Sequence, residues 1–111
     1  MLIYKILLPS EWADLESAGT FDGSPDDHDS GFIHFSSREQ VAATAMRFFG
    51  EVGPLVILVV DADRVGEAVR WEPASNGEHF PHLYAPLRSE DVVAVYHVAG
   101  ASLVETAVPE D

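Results

Sequence analysis

At 111 residues, with 19 acidic against 6 basic side chains and a formal charge of −13, the chain has the length of one domain around one core. That charge argues against a broad nucleic-acid footprint, since protonating all five histidines brings it only to −8. The sequence has no cysteine, which excludes disulfides, a thiolate nucleophile and a thiolate zinc site and leaves carboxylate and imidazole chemistry.

The longest apolar run, Pro54 to Val60, is far shorter than the roughly 20 residues of a membrane span. The opening MLIYKILLPSEW lacks a basic leader and a small-residue cleavage site, so it reads as a first strand of a cytoplasmic protein. Leu2 to Leu8 alternates as a strand buried on both faces, and Lys5 within it either reaches water at a sheet edge or points into a polar pocket. Pro9 and Ser10 end the strand and cap a helix over Glu11 to Ala18, with Trp12 and Leu15 facing inward and Gly19 closing it. Thr20 and Phe21 suit a brief strand. Asp22 to Ser30, with four aspartates, has the composition of a mobile loop able to cover a cleft; its spacing does not match an EF-hand.

Phe32 to Phe35 reads as a strand placing Phe32, His34 and Ser36 on one face and Ile33 and Phe35 on the other. Ser36 and Glu39 match a capping box. The helix that follows carries Val41, Ala45, Phe48 and Phe49 on an apolar face and Gln40, Thr44 and Arg47 on a polar one, with Gly50 as a left-handed end. Leu55 to Val60 is expected to be a central strand buried on both faces. After a connection over Arg64 to Ala68, Val69 to Glu72 and His79 to Tyr84 form a hairpin around Asn76-Gly77, with Pro73 stopping its first arm. Ser89 caps a turn at Glu90 and Asp91, Val92 to Val98 is a last strand, and Ala99 to Asp111 trails into a weak strand and an acidic tail. The expectation is one α+β domain over residues 1–111, with a mixed or mainly antiparallel sheet and two main helices.

Glu78-His79-Phe80-Pro81-His82 resembles a zincin motif only superficially, because the histidines are three apart and Pro81 prevents the helix. No metal site is expected there. As an extended arm it places His82 and Tyr84 on one face, and Arg70 and Glu72 share a face of the partner arm. A cleft between the face of His34 and Ser36 and the face of His82 and Tyr84 is the central expectation. The quieter alternatives are imidazoles held by backbone carbonyls, Ser36 as a cap, Arg70 and Glu72 as an ion pair, and Arg47 on a wet helix face. His28, His79 and His97 read as surface or structural.

The segments GFIHFS (31–36), RFF (47–49), VRWE (69–72) and FPHLY (80–84), in this order and spacing, resemble a family of small bacterial proteins called domain of unknown function nine-fifty-two. The resemblance covers nearly the whole chain. That family is grouped with the ADP-ribosyltransferase-like superfamily, which includes diphtheria-toxin-type transferases and NAD-using tRNA 2′-phosphotransferases. Tyr4, the helix Trp12 to Gly19 and the strand ending at Ser36 are similar to the superfamily's opening order. The resemblance implies an ADP-ribosyltransferase-like fold, NAD as ligand, and an ADP-ribosyl or RNA 2′-phosphotransferase type of reaction. Lys5 stands where the superfamily has its NAD-contacting histidine, and an ammonium cannot both donate and accept as an imidazole does. The implied activity is therefore a degenerate one. Glu72 is the nearest counterpart of the transferase glutamate.

Two functions follow. In the first, a nucleotide-like ligand is bound and acted on: Arg47 or Arg70 pairs with a phosphate, Lys5 and Ser36 contact phosphate or ribose hydroxyls, and Tyr84 or Phe32 stacks on a ring. The catalytic roles fall to Glu72, which stabilises charge at a ribose carbon, and to His34 and His82, which orient hydroxyls or transfer protons. In the second, the cleft is a non-catalytic module for a metabolite or a protein segment.

Overall fold

The computed structural model describes residues 1–111. Its first half comprises β1 (Leu2–Leu7), α1 (Pro9–Ala18), β2 (Thr20–Phe21), α2 (Pro25–Ser30), β3 (Ile33–His34) and α3 (Arg38–Phe49). The second half comprises β4 (Leu55–Asp61), α4 (Ala62–Val65), β5 (Val69–Pro73), β6 (His79–Leu83), β7 (Leu87–Arg88), β8 (Val92–Val98) and α5 (Val104–Ala107). The strands pair as β1-β4-β8, β2-β7 and β3-β6-β5, and every pairing is antiparallel. This is an α+β domain in which α1 and α3 are the longest of five α-helices.

The aliphatic run of β4 explains the layering. Its side chains alternate, so Val56, Leu58 and Val60 enter one apolar cluster with Ile3, Leu7 and Leu15, and Leu55, Ile57 and Val59 enter a second with Tyr4, Val41 and Ala45. Each fully buried aliphatic side chain contributes about 1.5–3 kcal/mol, which makes the central sheet the rigid base for the rest. No helix is long and apolar enough to cross a membrane.

Helix ends depart from expectation in instructive ways. Ser10 lies inside α1; the cap is Leu8, whose backbone N–H donates to Glu11 Oε1 at 2.8 Å. For α3 the cap is Ser37: its Oγ accepts from Gln40 N–H at 3.2 Å and its N–H donates to Gln40 Oε1 at 2.9 Å. Ser36 cannot serve as that cap, because its N–H and C=O are both paired with Tyr4 at 2.8 Å. That pairing joins β1 to the end of β3. Along α3, Val41 and Ala45 are buried and Phe49 packs against their cluster, whereas Phe48 is 62% exposed and Met46 51%. Phe48 is therefore not core. Gly50 is right-handed, at φ −59°, so the expected left-handed stop is absent.

The aspartate-rich segment is not a loop throughout. Ser24 caps α2, accepting from Asp27 N–H at 3.1 Å while Asp27 Oδ2 accepts from Ser24 N–H at 2.9 Å. Pro25 at the first helical position adds a preset φ, and Gly31 closes the helix at φ +89°. Likewise the C-terminal segment holds a 3-10 turn (Ala101–Leu103) and α5 in place of a weak strand. A helix that short needs outside help, and Arg38 provides it. The buried Arg38 guanidinium donates to the carbonyls of Glu105, Val108 and Pro109 at 3.0, 2.8 and 3.1 Å. The Ser89–Asp91 turn forms too, but without a side-chain cap, and Pro73 ends β5 from within it, on an edge strand where a missing N–H is tolerated.

Candidate functional site

Register places the functional side chains. In the β3-β6-β5 sheet His34 is opposite His82 and Arg70 is opposite His82 on the other side, so the side chains of all three share one face. The His34 and His82 ring centroids are 5.8 Å apart, edge to face. Phe32 lies against both: its ring stacks on His82 at 3.9 Å and is 4.7 Å from His34.

Each imidazole is held by a carboxylate, not by a backbone carbonyl. His34 Nδ1 is 2.6 Å from Asp27 Oδ1, and His82 Nδ1 is 2.8 Å from Glu72 Oε1. An ionised carboxylate only accepts, so each Nδ1 carries a proton, and a ring in its neutral form presents Nε2 as an acceptor. Neither Nε2 has a protein partner, and no side-chain nitrogen is buried without one. Both Nε2 atoms are therefore open to solvent or ligand.

Asp27 is the buried hub. It is 1% exposed and accepts from Lys5 Nζ at 3.0 Å, from the backbone N–H of Ser24 and His34, and from the His34 ring. Burial alone raises its pKa, but the His34 hydrogen bond, the Lys5 ammonium and the two backbone donors outweigh that and hold the carboxyl far below the usual range. Lys5 thus points into a polar pocket, although it shares a strand face with Ile3 and Leu7; α2 supplies the counter-ion that makes its burial tolerable. Asp27 carried a readable signal in the Ser24–Asp27 capping pattern, which composition alone obscures.

Glu72 organises the open half. Its Oε1 accepts from the Tyr84 hydroxyl at 2.6 Å as well as from His82. These two bonds, that of Tyr84 first, lower its pKa, and the same contact raises that of Tyr84. Arg70 makes no ion pair with Glu72; its guanidinium lies 4.8 Å from the Tyr84 ring centroid, a cation–π contact.

A cleft of about 790 Å³ runs along the outer edge of β1, between α2, α3 and the β5-β6 turn. It brings together His34, His82, Lys5, Ser36 and Arg47. Ser36 Oγ donates to Thr44 Oγ1 at 3.4 Å, and Arg47 lies over the Phe48 ring at 5.1 Å. Gln40 Nε2 donates to His79 O at 2.8 Å, tying α3 to the hairpin. Arg70, Glu72 and Tyr84 do not line this cleft; Glu72 stands behind His82, and Tyr84 lines a neighbouring hollow of about 330 Å³. No group of three or more His, Asp or Glu side chains is arranged to hold a metal ion. The arrangement offers two oriented acid–base groups, aromatic faces and hydroxyl partners around one space.

These features define a small α+β protein with a histidine-bearing cleft at a strand edge. The chain belongs to the family described as protein of unknown function (DUF952), whose model matches residues 6–95. The crystal structure of protein CC0527 from Caulobacter crescentus is similar, with 43% identity, 87% of this chain and 85% of that one covered, and a TM-score of 0.81. The solution NMR structure of CC0527 is also similar, with 43% identity, 85% and 81% coverage and a TM-score of 0.75. No curated protein matches the chain.

Proposed function

We propose that the cleft binds a nucleotide-like small molecule and transfers protons on it through His34 and His82. The observation that carries this reading is the pair of imidazoles 5.8 Å apart, each with Nδ1 fixed on a carboxylate and Nε2 free. A base oriented by a carboxylate, beside a second group of the same kind, can take a proton at one ligand atom and deliver one at another. Glu72 acts here through His82, as a positioning residue. Phe48 and Phe80 at the cleft offer faces for a flat ring, Ser36, Gln40 and Thr44 offer partners for hydroxyls, and Arg47 is the group for a phosphate.

The resemblance to the ADP-ribosyltransferase-like superfamily supports a nucleotide scaffold of that kind, with NAD among its ligands. Lys5 is committed to Asp27, so this reading gives it no part in contacting NAD. A bacterial relative and an acidic, cysteine-free sequence support a cytoplasmic setting. The test is titration of NAD, ADP-ribose and related nucleosides against the protein, followed by histidine ring signals in NMR and by product analysis. Saturable shifts of the His34 and His82 signals with slow product formation are the expected result. Saturable shifts with ligand intact after long incubation turn the reading into a non-catalytic binding module, and silence at millimolar ligand overturns it.

A further inference from the structure

The charge of the cleft wall narrows the ligand further. Five carboxylates line it, from Glu11, Asp26, Asp27, Glu39 and Glu78, against two basic side chains, Lys5 and Arg47, so the wall carries −3 with the histidines neutral. Lys5 is spent on Asp27, and Arg47 makes no ion pair, its guanidinium lying over the Phe48 ring. The Glu78 side chain is bonded only to the neutral Asn76 amide, and neither Asp26 nor Glu39 forms an ion pair, so no cation of the protein offsets any of these three exposed carboxylates. Phe32, Phe48 and Phe80 add aromatic faces inside the same space, and such faces attract cations. A pyrophosphate or triphosphate entering here meets one unpaired guanidinium and several uncompensated carboxylates. A neutral or positively charged ring meets aromatic faces within a negative field.

Resting on the reading of the cleft as a nucleotide-like site, we infer that it selects nucleosides and cationic ring compounds over their phosphorylated forms. Carboxylates at the mouth act within the roughly 10 Å screening distance of 0.1 M salt, so their combined effect is a preference on the order of tenfold or more at low salt, weakening as salt rises.

The experiment uses matched probes: nicotinamide riboside, nicotinamide mononucleotide and NAD, and in parallel adenosine, AMP and ATP. Dissociation constants are read from the His34 and His82 ring signals at low and at moderate salt. A second protein carrying Glu39→Gln and Glu78→Gln, both exposed and outside the imidazole pair, is titrated alongside. The expected result is that each unphosphorylated member binds at least tenfold tighter than the most phosphorylated one, with the gap narrowing in salt and in the double variant. Equal or tighter binding of NAD and ATP overturns this inference while leaving the cleft reading intact. Failure of every probe to move either imidazole overturns both.

Discussion

His34 and His82 sit directly across the β3-β6 ladder with their rings 5.8 Å apart, yet each answers to a different carboxylate on a different element. Asp27 comes from α2 and is buried, and Glu72 comes from β5 and is partly open. One fixed space is thus served by two independently oriented bases.

For the imidazoles, His34→Gln and His82→Gln are each expected to lower any turnover by roughly 10²–10⁴-fold. If the two act as a unit, the double variant loses little more than either single one. Single-turnover assays on the ligand found by titration check this, and an additive double loss speaks against joint action.

Removing half of the buried pair should be costly. Asp27→Asn leaves the Lys5 ammonium without a partner inside the protein, a change worth on the order of 3–5 kcal/mol of stability. Lys5→Met combined with Asp27→Asn should recover much of the loss, because the unpaired ammonium goes while the amide oxygen can still accept from the backbone N–H groups of Ser24 and His34. Urea unfolding measures the difference, and a near-neutral Asp27→Asn contradicts the hub role of this carboxylate.

Acid should reveal the same group. The folded-state pKa of Asp27 lies below its unfolded value, so its stabilisation is fully present above the unfolded carboxylate pKa of about 4 and is lost as pH falls through the depressed folded value. Urea midpoints from pH 6 down to pH 2 are expected to drop steeply at the acid end, and Asp27→Asn should flatten that drop.

Tyr84 provides an optical test of the open half. Its hydroxyl donates to Glu72, and its pKa is raised chiefly by that bond. Glu72→Gln should return the Tyr84 titration towards about 10, read as the difference in alkaline ultraviolet absorbance between proteins with and without Tyr84→Phe. An unchanged titration means the bond does not persist in solution.

Phe48 separates packing from binding. At 62% exposure, Phe48→Ala should alter stability by no more than about 0.5 kcal/mol yet weaken ring-bearing ligands several-fold. A large stability loss would return this residue to the core role that helix periodicity suggests.

The core strands were readable because alternation and continuous aliphatic runs report burial directly: Leu55 to Val60 and Val92 to Val98 lie where expected. Strand parity put Ser36 with His34 and Tyr84 with His82, but the shared face of the two histidines comes from the β3-β6 register, which parity within one strand does not give. What escaped was set by contacts remote in sequence. A lysine in a strand says nothing about a counter-ion 22 positions on, and α5 depends on a guanidinium from the first turn of α3. The shift of the α3 cap by one residue came from competition, since Ser36 was already engaged with Tyr4.

The Lys5–Asp27 bond has a consequence for how this family can diverge. Because a strand residue and a helix residue neutralise each other out of water, neither position can drift freely: homologues losing the ammonium should also lose the acid, or recruit a new cation. Such paired replacement would leave a neutral side chain beside His34, whose orientation would then have to come from elsewhere. Lineages that swapped both positions are the natural place to look for a changed reaction on an otherwise unchanged frame.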